Sequence, residues 1–408
     1  MVVSNIPKTK IGNLEFTVTQ GGMGVGISQA GLASAVADEG GAGIIATVGL
    51  GALKGYFSEQ IKLNQKRVEN AHGEERKRLY DELYALSNKL ALKDEIKEAR
   101  KRTNGVIGVN IMHALSDYSS LVQGAVEEDA DLIISGAGIP RDLPSYLRAD
   151  SKTKLVPIVS SARLADMICK SWSRLDHLPD AIVVEGPMAG GHLGYGRFDP
   201  EKPEFTEHLD NLDFVAHGLE KIVKEVIAAV KPFEEKFKQK IPVIAAGGIF
   251  YGGDIRVAVE KWSAAGVQMA TRFVTTYECD ADIRFKQAYI DCKEEDLVII
   301  NSPVGMPGRA INNKFLGRVE NGETVPIACP YHCLKTCTPA ESPYCIANAL
   351  TSALNGNFET GYVFAGANAW RCKEIVSVHD VFLALDQEYA SKKRSVSLIE
   401  NNALNGNT

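Results

Sequence analysis

One stretch of the chain, from Ala181 to Gly196, combines residue types that could perform chemistry. It opens with four apolar residues, typical of a strand buried on both faces, and continues through Glu185 into a glycine-rich loop carrying one imidazole, His192. The glycines allow the backbone to approach a ligand closely. Barrels of the α/β class carry catalytic groups just past the C-terminal ends of their strands, so His192 is predicted to be catalytic. The alternative is a surface loop with an incidental histidine.

A second chemically suggestive group consists of cysteines near the C-terminus. Half of the eight cysteines, Cys329, Cys333, Cys337 and Cys345, follow the pattern C-x3-C-x3-C-x7-C. Four close thiolates could hold a [4Fe-4S] iron–sulfur cluster or a structural zinc ion. The spacing matches neither a zinc ribbon nor the ferredoxin run, so free structural thiols stay open as the alternative. The other four cysteines are predicted to be isolated packing residues.

The elements that must position these residues alternate between strand-like apolar runs and helix-like stretches. Eight such runs predict an α/β fold of the (β/α)8 class, a TIM barrel, rather than an open doubly wound sheet. A polar stretch at about residues 55–103 predicts a helical excursion after the second strand. The barrel is assigned to residues 1–295, and residues 296–408 form a C-terminal extension that carries the cysteine cluster. The predicted strand segments, the first being the end of a strand, are Thr17–Gly24, Gly43–Thr47, Gly105–Met112, Asp131–Gly136, Lys154–Ser160, Ala181–Val184, Pro242–Gly248 and Gly266–Thr271.

Residues that follow the strands converge on one face of such a barrel. They are rich in glycine and small hydrogen-bonding groups, which suits a planar cofactor with a phosphate better than a carboxylate dyad or a histidine-ligated metal. The loops after strands seven and eight often bind phosphate, and Gly247, Gly248, Gln268 and Thr271 lie there. No G-x-G-x-x-G or Walker A motif occurs in the required context, which disfavours Rossmann and P-loop folds.

Composition narrows the class of protein. A net charge of −6 gives no reason to expect nucleic acid or an anionic membrane as a partner. The N-terminus has no apolar signal region, and the longest apolar run, Ala42 to Leu53, is too short and glycine-rich to span a bilayer. We therefore expect a cytoplasmic protein whose cysteines are thiols or metal ligands rather than disulfides.

Five motifs, in order over roughly residues 10–310, resemble the 2-nitropropane dioxygenase or nitronate monooxygenase family. That family also contains the FMN-dependent enoyl-ACP reductase II enzymes. The motifs are Gln20-Gly-Gly-Met-Gly24, Gly108-Val-Asn-Ile111, Glu185-Gly-Pro-Met-Ala-Gly-Gly-His192, Ala245-Ala-Gly-Gly-Ile249 and Gln268-Met-Ala-Thr-Arg-Phe273.

The resemblance implies that FMN lies in the mouth of the barrel, with His192 facing the substrate. It implies a place for each of the cofactor-binding residues. Gly22 and Met23 would lie against the flavin ring, Asn110 and Glu185 at its polar edge, Gly190 and Gly191 close by, and Gly247, Gly248, Gln268 and Thr271 at the ribityl phosphate.

Two enzymatic hypotheses follow from the resemblance. In the first, FMN takes electrons from an alkyl nitronate and is reoxidised by oxygen, while His192 binds or deprotonates the substrate. In the second, NAD(P)H reduces FMN for reduction of an enoyl thioester, with acyl carrier protein as a partner of the basic segments at residues 92–102 and 309–318. An iron–sulfur cluster would count against the role that uses oxygen. A non-catalytic flavin-binding subunit is disfavoured because His192 is present; the substrate, the nicotinamide preference and a homodimeric state stay open.

Overall fold

The apolar runs form a closed barrel in the computed structural model, which describes residues 4–194, 212–327, 329 and 331–391. All neighbouring barrel strands are parallel, in the spatial order β10-β11-β3-β4-β5-β6-β7-β8. The predicted TIM barrel is therefore confirmed. The strands of the described residues are β1 (Thr9–Ile11), β2 (Leu14–Phe16), β3 (Thr19–Gln20), β4 (Ala42–Ala46), β5 (Val106–Met112), β6 (Leu132–Gly136), β7 (Lys154–Val159), β8 (Ile182–Glu185), β9 (Gly191–His192), β10 (Val243–Ala246), β11 (Gly266–Met269), β12 (Leu297–Asn301), β13 (Pro307–Ile311) and β14 (Val363–Phe364).

Helices connect the barrel strands and cover the outside of the barrel. In the described residues the α-helices are α1 (Ala30–Asp38), α2 (Leu50–Leu53), α3 (Tyr56–Leu63), α4 (Gln65–Asn70), α5 (Gly73–Arg102), α6 (Tyr118–Glu127), α7 (Ala162–Trp172), α8 (Leu212–Phe237), α9 (Gly252–Glu260), α10 (Thr271–Val274), α11 (Ile283–Asp291), α12 (Lys314–Glu320), α13 (Ile346–Leu354) and α14 (Val378–Ala390). None of the helices in this part of the chain is both long and apolar enough to cross a bilayer. Tyr195 and Gly196 of the glycine-rich stretch, and the C-terminal tail from Asn401, lie outside the described residues.

The barrel interior is filled by alternate residues of the strands and closed at one end by a hairpin. Ile44, Ile134 and Val183 belong to one buried cluster, which also contains Ile11 and Phe16 of the antiparallel β1–β2 hairpin. This hairpin lies at the N-terminal ends of the barrel strands, because Thr9 Oγ1 donates to the carbonyl of Ala265, just before β11. The sequence analysis did not predict the hairpin. Its apolar side chains leave only the opposite end of the barrel open for a ligand.

The helical excursion after the second barrel strand is confirmed as helices α3 to α5. Helix α5 spans 30 residues and buries one face, including Leu83, Leu92 and Ile96, against the neighbouring helices. Most of the exposed residues of α5 are charged, as expected for a solvated face.

Residues beyond 295 pack onto the barrel mouth and one side of the barrel. Strands β12, β13 and β14 form an antiparallel sheet, and β13 also pairs with β9 of the glycine-rich loop. Helix α14 packs against α9 and α1 on the outside of the barrel. The extension thereby contributes directly to the wall of the site described below.

Candidate active site

A cavity of about 390 Å³ opens at the C-terminal ends of the barrel strands. Its wall combines the strand ends with residues of the C-terminal extension. The predicted site residues that line it are Gly22, Met23, Asn110, Glu185, Gly190, Gly191, His192, Gln268 and Thr271. These residues come from four different barrel strands or the loops that follow them, and the cavity brings them together as the strand-end argument predicted.

His192 is held by the extension. It lies in β9, which pairs antiparallel with β13 so that His192 is opposite Gly308. Its Nε2 atom lies 2.8 Å from Ser302 Oγ, and its ring contacts the Phe364 ring edge-on, with the ring centroids 5.0 Å apart. Burial lowers the pKa of His192 to about 4. The imidazole is therefore neutral at neutral pH.

Glu185 ends β8 and lies on the same cavity wall as His192. Burial raises the pKa of its carboxyl group to about 7, and a backbone hydrogen bond from Gly194 opposes part of that rise. Near neutral pH the group can be either a hydrogen-bond donor or an acceptor. A carboxyl group with this pKa in a cleft is a candidate for ligand binding or proton transfer.

Gly22 brings the backbone onto the cavity wall where no side chain would fit. A Cβ atom at this position would lie 2.4 Å from Asn110 Cβ and 3.3 Å from Ile44 Cγ2. The backbone of Gly22 therefore packs directly against the Asn110 side chain, and Gly22, Met23 and Gly24 line the cavity. A flat ligand could lie against this surface without meeting a side chain.

Gln268 carries a buried polar atom without a partner. Its Oε1 atom forms no hydrogen bond with any of the described residues, although the residue lies on the cavity wall at the end of β11. Buried polar atoms are normally hydrogen-bonded, so this atom indicates a donor on a ligand. The ribityl hydroxyls of FMN are such donors, and the residues present therefore fit this cofactor.

The two glycines after β10, Gly247 and Gly248, lie close to the glycine-rich loop. They follow β10 with φ angles of +87° and +98° and are not on the cavity wall. A Cβ atom on Gly247 would lie 2.8 Å from the carbonyl oxygen of Gly186, and the carbonyl of Gly248 accepts a hydrogen bond from Asn368. These two glycines pack behind the glycine-rich loop, and their role at a phosphate stays a prediction.

The remainder of the cavity wall is largely apolar and comes from both parts of the chain. Side chains from the barrel and from the extension contribute to it: Met112, Leu115, Ile139, Leu164, Met306, Leu334, Ile346 and Leu350. The cavity therefore offers polar groups at the strand ends and an apolar region facing them.

Comparison with known proteins shows the family to which this chain belongs. The model of the nitronate monooxygenase family matches residues 5–388. The chain belongs to the nitronate monooxygenase family. A probable nitronate monooxygenase from Staphylococcus saprophyticus is 25% identical over 366 residues, covering 87% of this chain and 89% of that protein. Family membership identifies an oxidoreductase.

Solved structures of similar fold support the architecture of this family member. FabK from Thermotoga maritima superimposes with a TM-score of 0.65 at 24% identity, covering 96% of this chain and 97% of that one. A nitroalkane oxidase from Streptomyces ansochromogenes gives a TM-score of 0.64 at 22% identity, covering 92% and 96% of the respective chains. At these identities the likeness shows the shared barrel fold.

The predicted metal site of this nitronate monooxygenase family member is not supported. All eight cysteines are among the described residues and are free thiols, Cys333 being buried and Cys329, Cys337 and Cys345 partly buried. Within the described ranges, no three or more His, Cys, Asp or Glu side chains are arranged to hold a metal ion. Cys333 lies near the other three cysteines of the cluster, so proximity along the chain and in space is present without a metal-holding arrangement among the described residues.

The sequence analysis predicted that two basic segments form a surface for an acidic partner, and the structure differs from this prediction. Arg309 is buried, with 6% of its surface exposed, and therefore cannot contribute to a surface patch. In the segment 92–102, Lys93 and Lys97 form ion pairs with acidic residues of the chain, and so does Arg100. The positive charge of that helix is largely balanced within the protein.

Proposed function

We propose that this family member is an FMN-dependent oxidoreductase that oxidises alkyl nitronates, with His192 as the catalytic residue that contacts the substrate. The observation that carries the proposal is the neutral His192 imidazole on the cavity wall, fixed by Ser302. FMN, when bound, would supply the electron chemistry for oxidation of the nitronate by oxygen.

The low pKa of His192 favours a substrate that needs no strong base. A general base works best with a pKa near the operating pH, which a value of about 4 does not provide. An alkyl nitronate is already an anion and has no proton to lose, so it requires a hydrogen-bond donor instead. A neutral imidazole can supply one N–H group for this purpose.

We propose that the Ser302 hydroxyl donates to Nε2 of His192, which places the imidazole proton on Nδ1. Nδ1 has no hydrogen-bond partner among the described residues. The Ser302 side chain is buried, so the pair is shielded from bulk water. Ser302 is thus a positioning residue that leaves an imidazole N–H available to a nitronate oxygen.

The cofactor is assigned to the residues on the polar side of the cavity. We propose that Gly22 and Met23 lie against the flavin ring, and that Asn110 and Glu185 bind its polar edge. Gln268 would accept a hydrogen bond through its unpaired Oε1 atom. A Glu185 carboxyl with a pKa of about 7 can donate a hydrogen bond to the flavin when protonated and accept one when ionised.

The apolar region of the cavity favours a second candidate function, NAD(P)H-dependent reduction of an enoyl thioester. The apolar wall at Met112, Leu164, Ile346 and Leu350 could accept the chain of an acyl group. The balanced charges of the 92–102 segment give no support for docking of an acidic carrier protein there.

One anaerobic experiment separates the two candidates. The purified protein is expected to release FMN on denaturation, and its flavin absorbance should bleach on addition of an alkyl nitronate but not NADH or NADPH. Admission of air should then restore the absorbance and release nitrite. Rapid bleaching by a nicotinamide, with none by the nitronate, would favour the enoyl reductase. Failure to bind any flavin would contradict both.

A further inference from the structure

Arg309 is a buried positive charge that the proposed reaction does not yet use. It lies in β13, and its Nη1 atom donates to the carbonyl oxygens of Pro187 and Ala189, each at 2.7 Å. No carboxylate of the described residues forms an ion pair with it. The guanidinium therefore contacts the glycine-rich loop from behind through main-chain oxygens.

Burial of this charge has an energetic cost that the two carbonyls offset only in part. An ion removed from water is stable only where hydrogen bonds or an opposite charge compensate for its lost hydration. Burial lowers the pKa of Arg309 to about 10, so the side chain is still cationic at neutral pH. The protein thus keeps a positive charge that is only partly compensated directly behind the loop that lines the cavity.

The same hydrogen bonds determine where the loop's amide groups point. In a planar trans peptide the carbonyl oxygen and the following N–H lie on opposite sides. Since the Ala189 carbonyl points at Arg309, the Gly190 N–H points away from it, and Gly190 lies on the cavity wall. This N–H has no hydrogen-bond acceptor among the described residues.

We propose that Arg309 is a positioning residue that orients the Gly190 N–H toward an acceptor atom of the flavin and favours the flavin through its charge. The inference rests on the proposed binding of FMN in this cavity. It adds a role for a side chain that does not itself line the cavity and that lies well outside the glycine-rich motif in the sequence.

The test compares three variants for FMN affinity and for the reduction potential of the bound flavin. R309M removes the charge and both hydrogen bonds, and R309K retains the charge without the planar fork of donors. R256M is the matched control, because Arg256 Nη1 also donates to a main-chain carbonyl, that of Tyr389 at 2.7 Å, on the outside of the barrel. FMN affinity is measured by fluorescence titration of the apoproteins, and the potential by equilibration with a redox dye.

R309M is expected to bind FMN about tenfold or more weakly, because charge-assisted hydrogen bonds that orient the loop are lost. Its bound flavin should also have a lower reduction potential, since the charge that favours electron uptake is gone. R309K should weaken FMN binding but keep a potential near that of the wild type, and R256M should match the wild type in both.

Equal affinity and equal potential in R309M and R256M would overturn the inference. If R309M does not fold, the comparison of R309K with R256M decides, and unchanged FMN affinity in R309K would overturn it. A wild-type protein that binds FMN but does not oxidise nitronates would refute the proposed reaction and leave the affinity test of Arg309 decisive. A wild-type protein that binds no FMN would refute both.

Discussion

Replacement of Glu185 by Gln should make the protein more stable at alkaline pH and remove part of its pH dependence. The folded state raises the pKa of this carboxyl from 4.5 to about 7 because burial disfavours the ionised form. As the pH rises above 4.5, the unfolded chain releases this proton while the folded protein keeps it. The free energy of unfolding of the wild type therefore falls progressively between about pH 4.5 and about pH 7.

The size of this effect follows from the two pKa values. Each unit of difference between the two pKa values corresponds to about 1.4 kcal/mol. The free energy of unfolding therefore falls by at most about 3 kcal/mol by the pH at which Glu185 is ionised in both the folded and the unfolded state. Between about pH 5 and about pH 8, the difference in unfolding free energy between E185Q and the wild type should grow by about 2 to 3 kcal/mol in favour of the variant.

Urea denaturation of the apoproteins at both pH values measures this difference. E235Q is a suitable control, because Glu235 is exposed near the end of α8 and the same change of charge there should give little dependence on pH. If the free energies of unfolding of E185Q and the wild type differ by the same amount at both pH values, the argument is refuted. Such a result would show that Glu185 is not protonated preferentially in the folded state.

Three further predictions concern the candidate site. H192A should retain FMN while the rate of nitronate oxidation falls about 10²- to 10³-fold, because a hydrogen-bond donor to the anionic substrate is lost; an unchanged rate, or loss of the flavin spectrum, would contradict its assigned role. S302A removes the 2.8 Å contact with His192 Nε2 and should lower kcat up to about tenfold with little change in FMN affinity, and a normal kcat would show that Ser302 does not position the imidazole. G22A should bind FMN at least about tenfold less well, because its Cβ would lie 2.4 Å from Asn110 Cβ, and G317A, with open space around the added methyl, is the control that should bind normally. Equal FMN affinity in both glycine variants would show that the close packing of Gly22 against Asn110 is not needed for FMN binding.

The sequence alone was sufficient to predict the barrel and much of its open end. A buried parallel strand is visible locally as an apolar run, and the residue after it must lie at the barrel mouth whatever the neighbouring elements do. Asn110, Glu185, Gln268 and the Gly190–His192 loop were therefore found from their positions after strands, and the structure brings them into one cavity. The polar composition of α5 likewise indicated a helical excursion without reference to any contact.

Other features required the tertiary structure, because they depend on contacts between distant parts of the chain. Ser302 lies 110 residues from His192, and no local pattern connects the two. Arg309 has the sequence surroundings of a surface cation but becomes buried when β13 pairs with the glycine-rich loop. The four clustered cysteines lie near one another, as their electrostatic effect on Cys333 shows, but among the described residues no group of three or more is arranged to hold a metal ion. Strand pairing and packing determine which atoms face one another, and that geometry sets the pKa of His192 and the orientation of the loop beside it.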